Sequence, residues 1–123
     1  MQDDTAFADA SPVAIVGAGA VGTALARRLA ERGAPVQAIL SRTRADAQAL
    51  ADRVGAPVAS DEAAALPADV RLVLLCVPDD ALAGVARTLA EVAHPWDRTI
   101  VGHTAGAKPA DVLRPLAEKG AAT

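Results

Sequence analysis

A glycine-rich segment directly after a short apolar run is the first place where this chain could do chemistry. Gly17, Gly19 and Gly22 match the pattern Gly-x-Gly-x-x-Gly, after Val13–Val16 and before a stretch of helical periodicity. In that context the first glycine allows a tight turn, the second lets a pyrophosphate approach the backbone, and the third lets helix and strand pack closely. The amides of the helix N-terminus would then bind the phosphates. Dinucleotide binding is therefore favoured over the alternative, a glycine-rich turn without a ligand.

Four polar residues end the second apolar run, about twenty residues past the glycines. They are Ser41, Arg42, Thr43 and Arg44. A domain selective for NAD usually has an acid here to hold the ribose 2′-hydroxyl, and an acid would repel a 2′-phosphate. A guanidinium instead pairs with phosphate through two charge-assisted hydrogen bonds, and the two hydroxyls can add donors. The segment indicates NADP, with NAD the less favoured cofactor. The alternative is a solvated basic loop in which Thr43 caps the next helix.

The third segment closes the fourth apolar run. The backbone of Cys76, Val77 and Pro78 is expected to line the same cleft, because it lies across the sheet from the glycines. Free cysteines are among the most buried residues, so Cys76 is predicted to be a core thiol and not a nucleophile. Asp79 and Asp80 are predicted to cap the following helix.

The fifth apolar run ends in His103 and Thr104, where the nicotinamide half of a dinucleotide would lie. His103 could donate a proton to a substrate carbonyl, and Thr104 could bind the carboxamide. The alternative is a strand-end histidine bonded to the backbone, with Gly106 making the turn. A role in lining the cleft is favoured over catalysis, because no partner acid or substrate pocket can be identified.

These segments have to be positioned by alternating strands and helices. Strands are predicted at Val13–Val16, Val36–Leu40, 57–59, 70–77 and 98–103. Helices are predicted from Val21 to a stop at Gly33, over 45–54 with Gly55 as cap, over 61–66 behind Ser60, from Asp79 to about Val92, and over 109–119 with a kink or division at Pro115. This order predicts an α/β fold, a doubly wound parallel sheet with helices on both faces. Residues 12–123 would form this single Rossmann domain, and a sixth strand would begin near the end of the sequence.

Composition excludes several classes of function. The chain of 123 residues has a net charge of −3, no Tyr, one Phe and one Trp, which argues against a nucleic-acid partner. One cysteine excludes an internal disulfide and a cysteine-based zinc site, and two histidines show no metal-ligand spacing. His94 is assigned to a surface turn.

The N-terminal residues and the hydropathy of the chain predict its location in the cell. Residues 1–11 carry three aspartates and no basic start, which predicts a disordered acidic tail and not a secretion signal. The longest strongly apolar run, 72–77, is far too short to span a membrane. A cytoplasmic location follows as the prediction.

Four stretches together resemble one known group of proteins: residues 13–25, 41–43, 75–82 and 103–107. They are similar to the Rossmann-like N-terminal domain of candidate NADP-dependent oxidoreductases in the 6-phosphogluconate dehydrogenase-like superfamily. That superfamily includes pyrroline-5-carboxylate reductase and coenzyme F420-dependent NADP reductase. The similarity is greatest to the branch that carries a C-terminal domain of unknown function, and it extends over about residues 13–121. In this group a mostly helical C-terminal domain forms the dimer and completes the substrate site.

The resemblance implies a role for each segment. The glycine loop, Gly17 to Gly22 with Ala18, Ala20 and Val21, would hold the pyrophosphate. Ser41, Arg42 and Arg44 would read the 2′-phosphate, and Val77, Pro78, His103 and Thr104 would line the ribose and nicotinamide side. Because the sequence ends before a helical domain, catalysis by this chain alone is not expected, the substrate stays unknown, and a homodimer stays possible.

Two other readings stay open. A non-catalytic module that senses NADP(H), or presents it to a partner, would need the same residues. A nucleotide fold for FAD or S-adenosylmethionine is less favoured, because an acid would be expected where Ser41 and Arg42 stand.

Overall fold

The computed structural model describes residues 12–105 and 110–123, in which strands and helices alternate as predicted. The first half consists of β1 (Val13–Val16), α1 (Ala20–Glu31), β2 (Val36–Leu40), α2 (Arg44–Val54) and β3 (Val58–Ser60). The second half consists of a 3-10 turn (Ala63–Ala65), β4 (Leu72–Leu75), α3 (Asp79–Ala90), a 3-10 turn (Trp96–Arg98), β5 (Ile100–His103), a 3-10 turn (Ala110–Leu113) and α4 (Arg114–Ala117). The predicted tail over residues 1–11 and the predicted turn at Gly106 lie outside the described residues.

The strands form one parallel sheet in the order β3-β2-β1-β4-β5. From β1 the chain runs outward to β2 and β3, and then crosses back to add β4 and β5 on the other side of β1. The strand order therefore reverses between β1 and β4, and ligands of such sheets bind outside the carboxyl ends of the strands at this switch point. The prediction of a doubly wound α/β sheet is confirmed.

Both faces of the sheet are covered, which explains why the strands read as continuous apolar runs. All four residues of β1 are buried. Ile15 packs with the helices α1 and α2 on one face, whereas its neighbour Ala14 packs with α3 and α4 on the other. This alternation follows from the two-residue period of a strand.

Local signals at the helix ends were predicted correctly. Thr43 is the N-cap of α2, and its Oγ1 accepts a hydrogen bond of 3.3 Å from the amide of Asp46. Gly55 ends the same helix in the left-handed region, and Gly33 follows the end of α1 with a φ of 82°. The last helical segment is divided as expected, with Pro115 in the first turn of α4. Ala122 forms a single parallel bridge to Ile100, which is where a sixth strand was expected.

Other element predictions were wrong in extent or kind. β4 has only four residues because its ladder matches β1, which is itself four residues long. The short helix predicted over 61–66 is a 3-10 turn, since Leu66 precedes a proline and takes an extended ψ of 118°. Pro78, not Asp79 or Asp80, occupies the N-cap of α3. The two aspartates lie in the first turn, where their charge favours the positive end of the helix dipole.

His94 is part of a packed cluster, so its assignment to a surface turn was wrong. Its Nε2 lies 3.0 Å from Oγ1 of Thr99, which is buried and donates to the carbonyl of Pro95. The ring centroid lies 4.5 Å from that of Trp96. Within the described residues, the buried Nδ1 has no hydrogen bond of regular geometry. Burial is the main cause that lowers the pKa of His94; Arg71 also lowers it, and the Val70 carbonyl and Asp69 oppose the shift.

This cluster predicts a loss of stability in mild acid. The folded pKa of His94 lies below its unfolded value of about 6.5, so the unfolded chain binds more protons between the two values. The contribution of neutral His94 to the free energy of unfolding is fully present above the unfolded pKa and is lost as pH falls toward the folded pKa. We expect the urea midpoint to decrease between about pH 7.5 and pH 5.5, and to decrease less in His94→Gln. An equal decrease in both proteins would contradict this role of His94.

None of the helices in residues 12–105 and 110–123 has the length and apolar character needed to cross a bilayer.

Candidate functional site

A cleft of about 660 Å³ lies at the carboxyl ends of the central strands. Three predicted segments meet in it: the start of the glycine loop, the end of β2 and the end of β4. The predicted site residues that line it are Gly17, Ala18, Gly19, Ser41, Arg42, Thr43, Cys76, Val77 and Pro78. Segments far apart in the sequence therefore share one cavity, as the parallel topology requires.

Two glycines hold the loop against the sheet. Gly17 donates its amide to the carbonyl of Leu40 at 2.7 Å and has a φ of 110°, and a Cβ there would overlap the carbonyl of Cys76. Gly22 is buried in the first turns of α1, and a Cβ there would overlap the carbonyl of Gly17. Neither position has room for a side chain, so the loop depends on both glycines for its shape.

The middle glycine is different. Gly19 is the N-cap of α1, and a Cβ built on it would meet no atom within 4 Å. Thr23 steadies the loop by donating to the carbonyl of Ala18 at 3.2 Å. The first amides of a helix lack partners within the helix, so this end of α1 offers backbone donors and a partial positive charge to an anion.

The end of β2 forms one wall of the cleft. Ser41 donates its amide to the carbonyl of Ser60 at 3.0 Å, which ties the end of β2 to the end of β3. Thr43 is used as the cap of α2, as the alternative interpretation proposed. Arg42 is exposed, and its guanidinium has neither an ion pair nor a hydrogen bond with any residue in the described part of the chain. Arg44 is also exposed but does not line this cleft.

Sequence reasoning missed three carboxylates on this wall. Asp46, Asp61 and Glu62 line the cleft together with Arg42. The turn that carries Glu62 is fixed by its amide, which donates to Oγ of Ser60 at 3.0 Å. Only the pairing of β2 with β3 brings this turn beside Ser41, so the sequence carried no local signal for it.

The outer wall was also missed, although a signal for it was present. It is formed by α3 through Ala81, Gly84, Val85 and Thr88. These positions recur at i, i+3, i+4 and i+7, which is the spacing of one helical face. Because these residues are small or carry methyl groups, the wall is mostly apolar, and it lines the same cavity as the end of β2.

Cys76 is a core residue, as predicted. Its side chain is 8% exposed and packs with the α1 side of the core. Burial raises the pKa of the Cys76 thiol, and a hydrogen bond with Thr104 opposes the shift less strongly. A raised pKa lowers the fraction of thiolate, so the arrangement is unsuited to a nucleophile.

The end of β5 lies beside the end of β4. His103 is in register with Leu75, and the amide of Thr104 donates to the carbonyl of Leu75 at 3.2 Å. Nδ1 of His103 accepts a hydrogen bond of 3.1 Å from the amide of Ala105, so the backbone-bonded alternative is correct in its geometry. His103 lines neither the cleft nor the second depression described next.

A second, more open depression of about 700 Å³ lies on the outer side of α1. Ala20, Val21 and Thr104, which were predicted to line the cofactor site, line this depression and not the cleft. Val21 is 55% exposed, so α1 carries an apolar patch next to the glycine loop. The predicted cofactor residues are thus divided between two cavities, except Gly22, Arg44 and His103, which line neither.

The chemistry of the cleft is that of binding. It combines backbone donors at a helix end, an arginine that no described residue pairs with, and an apolar wall, which together suit a phosphorylated ligand with an aromatic or sugar moiety. Among the described residues, no group of three or more His, Cys, Asp or Glu side chains could hold a metal ion.

Comparison with known proteins agrees with this geometry. The sequence model of the Rossmann-like domain matches residues 3–123. A candidate NADP oxidoreductase from Bacteroides fragilis is 28% identical, with a TM-score of 0.75 over 83% of this chain and 38% of its own. An arogenate dehydrogenase from Synechocystis is 21% identical, with a TM-score of 0.69 over 88% of this chain and 37% of its own.

A third structure is the prephenate dehydrogenase from A. aeolicus in complex with hydroxyphenyl propionate and NAD+, 18% identical with a TM-score of 0.68. It is covered over 38% of its length, and 89% of this chain is covered. No curated protein gives a match. The chain thus spans well under half the length of these solved structures. Since the family match covers nearly all of the sequence, the chain belongs to the Rossmann-like domain family.

Proposed function

We propose that this chain binds NADP(H) and orients its nicotinamide, as the cofactor half of an oxidoreductase whose substrate is bound by parts outside these 123 residues. The observation that carries the proposal is the position of Arg42 on the wall of a cleft whose other end is the glycine loop, with no partner among residues 12–105 and 110–123. A cavity of about 660 Å³ is of the size that nucleotide-like ligands occupy.

The residues fit a dinucleotide in a specific way. Gly17 and Gly22 shape the loop, and the open space at Gly19 leaves room for a pyrophosphate to reach the backbone amides of α1. Arg42 would bind the 2′-phosphate, with Ser41 and Thr43 as additional donors. Arg44, one residue further, could join only by reaching in from outside the cleft.

The remaining predicted residues would bind the other half of the ligand. The backbone of Cys76, Val77 and Pro78 would contact the ribose, and His103 and Thr104 would lie on the nicotinamide side. When bound, the nicotinamide supplies the hydride chemistry, and the chain supplies binding and orientation. The similar structures include one named for NADP and one complexed with NAD+, which supports a nicotinamide dinucleotide as the ligand. The cytoplasmic location and the homodimer stay predictions.

Parallel calorimetric titrations with NADPH and NADH test this proposal. One charge-assisted contact to the 2′-phosphate is worth about 1.5–3 kcal/mol, so we expect NADPH to bind about tenfold or more tightly than NADH. Equal affinities would refute the NADP preference, and no binding of either nucleotide at about millimolar concentration would refute the cofactor assignment. Turnover of a carbonyl or imine substrate by a longer form of the protein would separate an oxidoreductase from a non-catalytic binding module.

A further inference from the structure

The ring of His103 is held in one orientation by the main chain. Its Nδ1 accepts a hydrogen bond of 3.1 Å from the amide of Ala105. A backbone N–H can only donate, so Nδ1 must be the bare nitrogen of the imidazole. The neutral ring then carries its hydrogen on Nε2.

The donor of this hydrogen bond is itself fixed. Ala105 is 7% exposed and belongs to the core on the α3 side of the sheet. The preceding residue, Thr104, is bonded through its amide to the end of β4. The Ala105 amide therefore follows a bonded backbone and belongs to a buried residue, so the ring orientation that it selects is a property of the fold.

The ring of His103 lies at the carboxyl end of the sheet, on the side where ligands of such folds bind. His103 is the last residue of β5 and is partly exposed, beside the end of β4 whose continuation, Cys76 and Val77, lines the cleft. In a doubly wound sheet, ligands lie outside the carboxyl ends of the strands. If a dinucleotide has its phosphates at the glycine loop, its nicotinamide–ribose half extends toward β4 and β5.

We infer that His103 serves the site as a hydrogen-bond donor through Nε2–H, to a hydroxyl or carboxamide oxygen of the nicotinamide–ribose half, and not as a general base. A general base must present a bare nitrogen to the proton that it removes. The bare nitrogen of His103 is already bound to the Ala105 amide. This inference rests on the proposed function, because it assumes that a nicotinamide nucleotide occupies the cleft.

The tautomer can be measured without any nucleotide. The chain has two histidines, so 15N-histidine labelling gives two ring signals, and the spectrum of His103→Gln assigns the pair that belongs to His103. Long-range 1H–15N correlation spectra above pH 8 should show a protonated Nε2 and a bare Nδ1. A protonated Nδ1, or an average of the two tautomers, would overturn the inference.

The donor role is tested with two matched substitutions. His103→Asn retains an acceptor near the position of Nδ1 but has no group at Nε2, whereas His103→Gln retains an amide donor near Nε2. We expect NADPH affinity to decrease about fivefold to tenfold in the asparagine variant and less than about threefold in the glutamine variant. The affinity for adenosine 2′,5′-bisphosphate, which lacks the whole nicotinamide–ribose half, should not change in either.

Each outcome of these titrations is decisive. Equal losses in the two variants, no loss in either, or a parallel loss of affinity for adenosine 2′,5′-bisphosphate would overturn the donor role. If the unmodified chain bound neither nucleotide, the proposed function would fail and the donor role with it, while the tautomer would still be read from the spectra. A failure of the inference is thereby distinguished from a failure of the proposed function.

Discussion

Replacing Gly22 with alanine is expected to lower the free energy of unfolding by about 3 kcal/mol or more, whereas the same change at Gly19 should alter it by less than about 1 kcal/mol. At Gly22 the new methyl group would overlap the carbonyl of Gly17, a backbone atom of a residue whose amide is bonded to Leu40. Relief requires α1 to move away from the sheet, and this would open the contacts of Ala26 and Leu29 with the core. At Gly19 nothing lies within 4 Å of the new methyl group.

Nucleotide binding should respond differently from stability. The methyl group of Gly19→Ala would occupy the space through which we expect a pyrophosphate to reach the amides of α1, so affinity should decrease about tenfold or more in a folded protein. Urea unfolding followed by circular dichroism, and calorimetric titration with NADPH, measure the two effects separately. If Gly22→Ala were as stable as Gly19→Ala, the close approach of α1 to β1 would be wrong. If Gly19→Ala bound NADPH normally, the pyrophosphate would not lie at this loop.

The parts of the fold that sequence analysis predicted correctly are those with local causes. The strands β1 and β2 are each followed directly by residues that end the extended backbone. A glycine follows Val16, and a polar turn follows Leu40. Thr43 and Gly55 mark the two ends of α2 through hydrogen bonds or backbone conformations that each residue makes by itself. Such signals do not depend on what else packs nearby.

The parts that were missed depend on contacts between distant segments. β4 is shorter than its apolar run because its partner β1 has only four residues to offer. Asp61 and Glu62 enter the site only because β3 pairs with β2, and nothing in their own neighbourhood predicts that. His94 was assigned to a surface turn because it stands beside Pro95 and Trp96, but its environment is set by contacts with Thr99 and Trp96, which bury part of the ring.

In the candidate site, too, local sequence signals were predicted correctly and the placement of side chains was not. The motif pattern located the glycine loop and the polar end of β2, and the structure brings both to one cleft. The structure also places two residues of the motif outside this cleft, because the side chains of Ala20 and Val21 lie on the outer side of α1. In a loop that binds through backbone amides, side chains are free to point elsewhere, so the motif predicts where the backbone lies better than it predicts where side chains point.

The environment of Arg42 predicts a selective effect of its removal. The guanidinium shares its wall with Asp46, Asp61 and Glu62, yet it is bonded to no residue in the described ranges. A 2′-phosphate bound there would meet one cation among three carboxylates. We therefore expect Arg42→Ala to reduce NADPH affinity by about 1.5–3 kcal/mol, roughly tenfold or more. In the mutant, the only charged side chains on this wall that face the phosphate would be carboxylates. NADH has no 2′-phosphate, so its affinity should stay within about twofold.

Arg53→Ala is the matched control, because it removes the same charge from the last turn of α2, the helix that follows Arg42. Arg53 lies nine residues after the first residue of that helix, which is about 13 Å along its axis, beyond the screening length of about 8 Å at physiological salt. Its removal should therefore leave the affinity for both nucleotides within about twofold.

Titration of Arg42→Ala, Arg44→Ala and Arg53→Ala with NADPH and NADH then shows which arginine contacts the 2′-phosphate, because each variant removes the same charge. A large loss of NADPH affinity in Arg44→Ala would mean that Arg44 also binds the 2′-phosphate, although it does not line the cleft. An equal loss of NADPH and NADH in Arg42→Ala would mean that this arginine supports the fold of the cleft and does not read the 2′-phosphate.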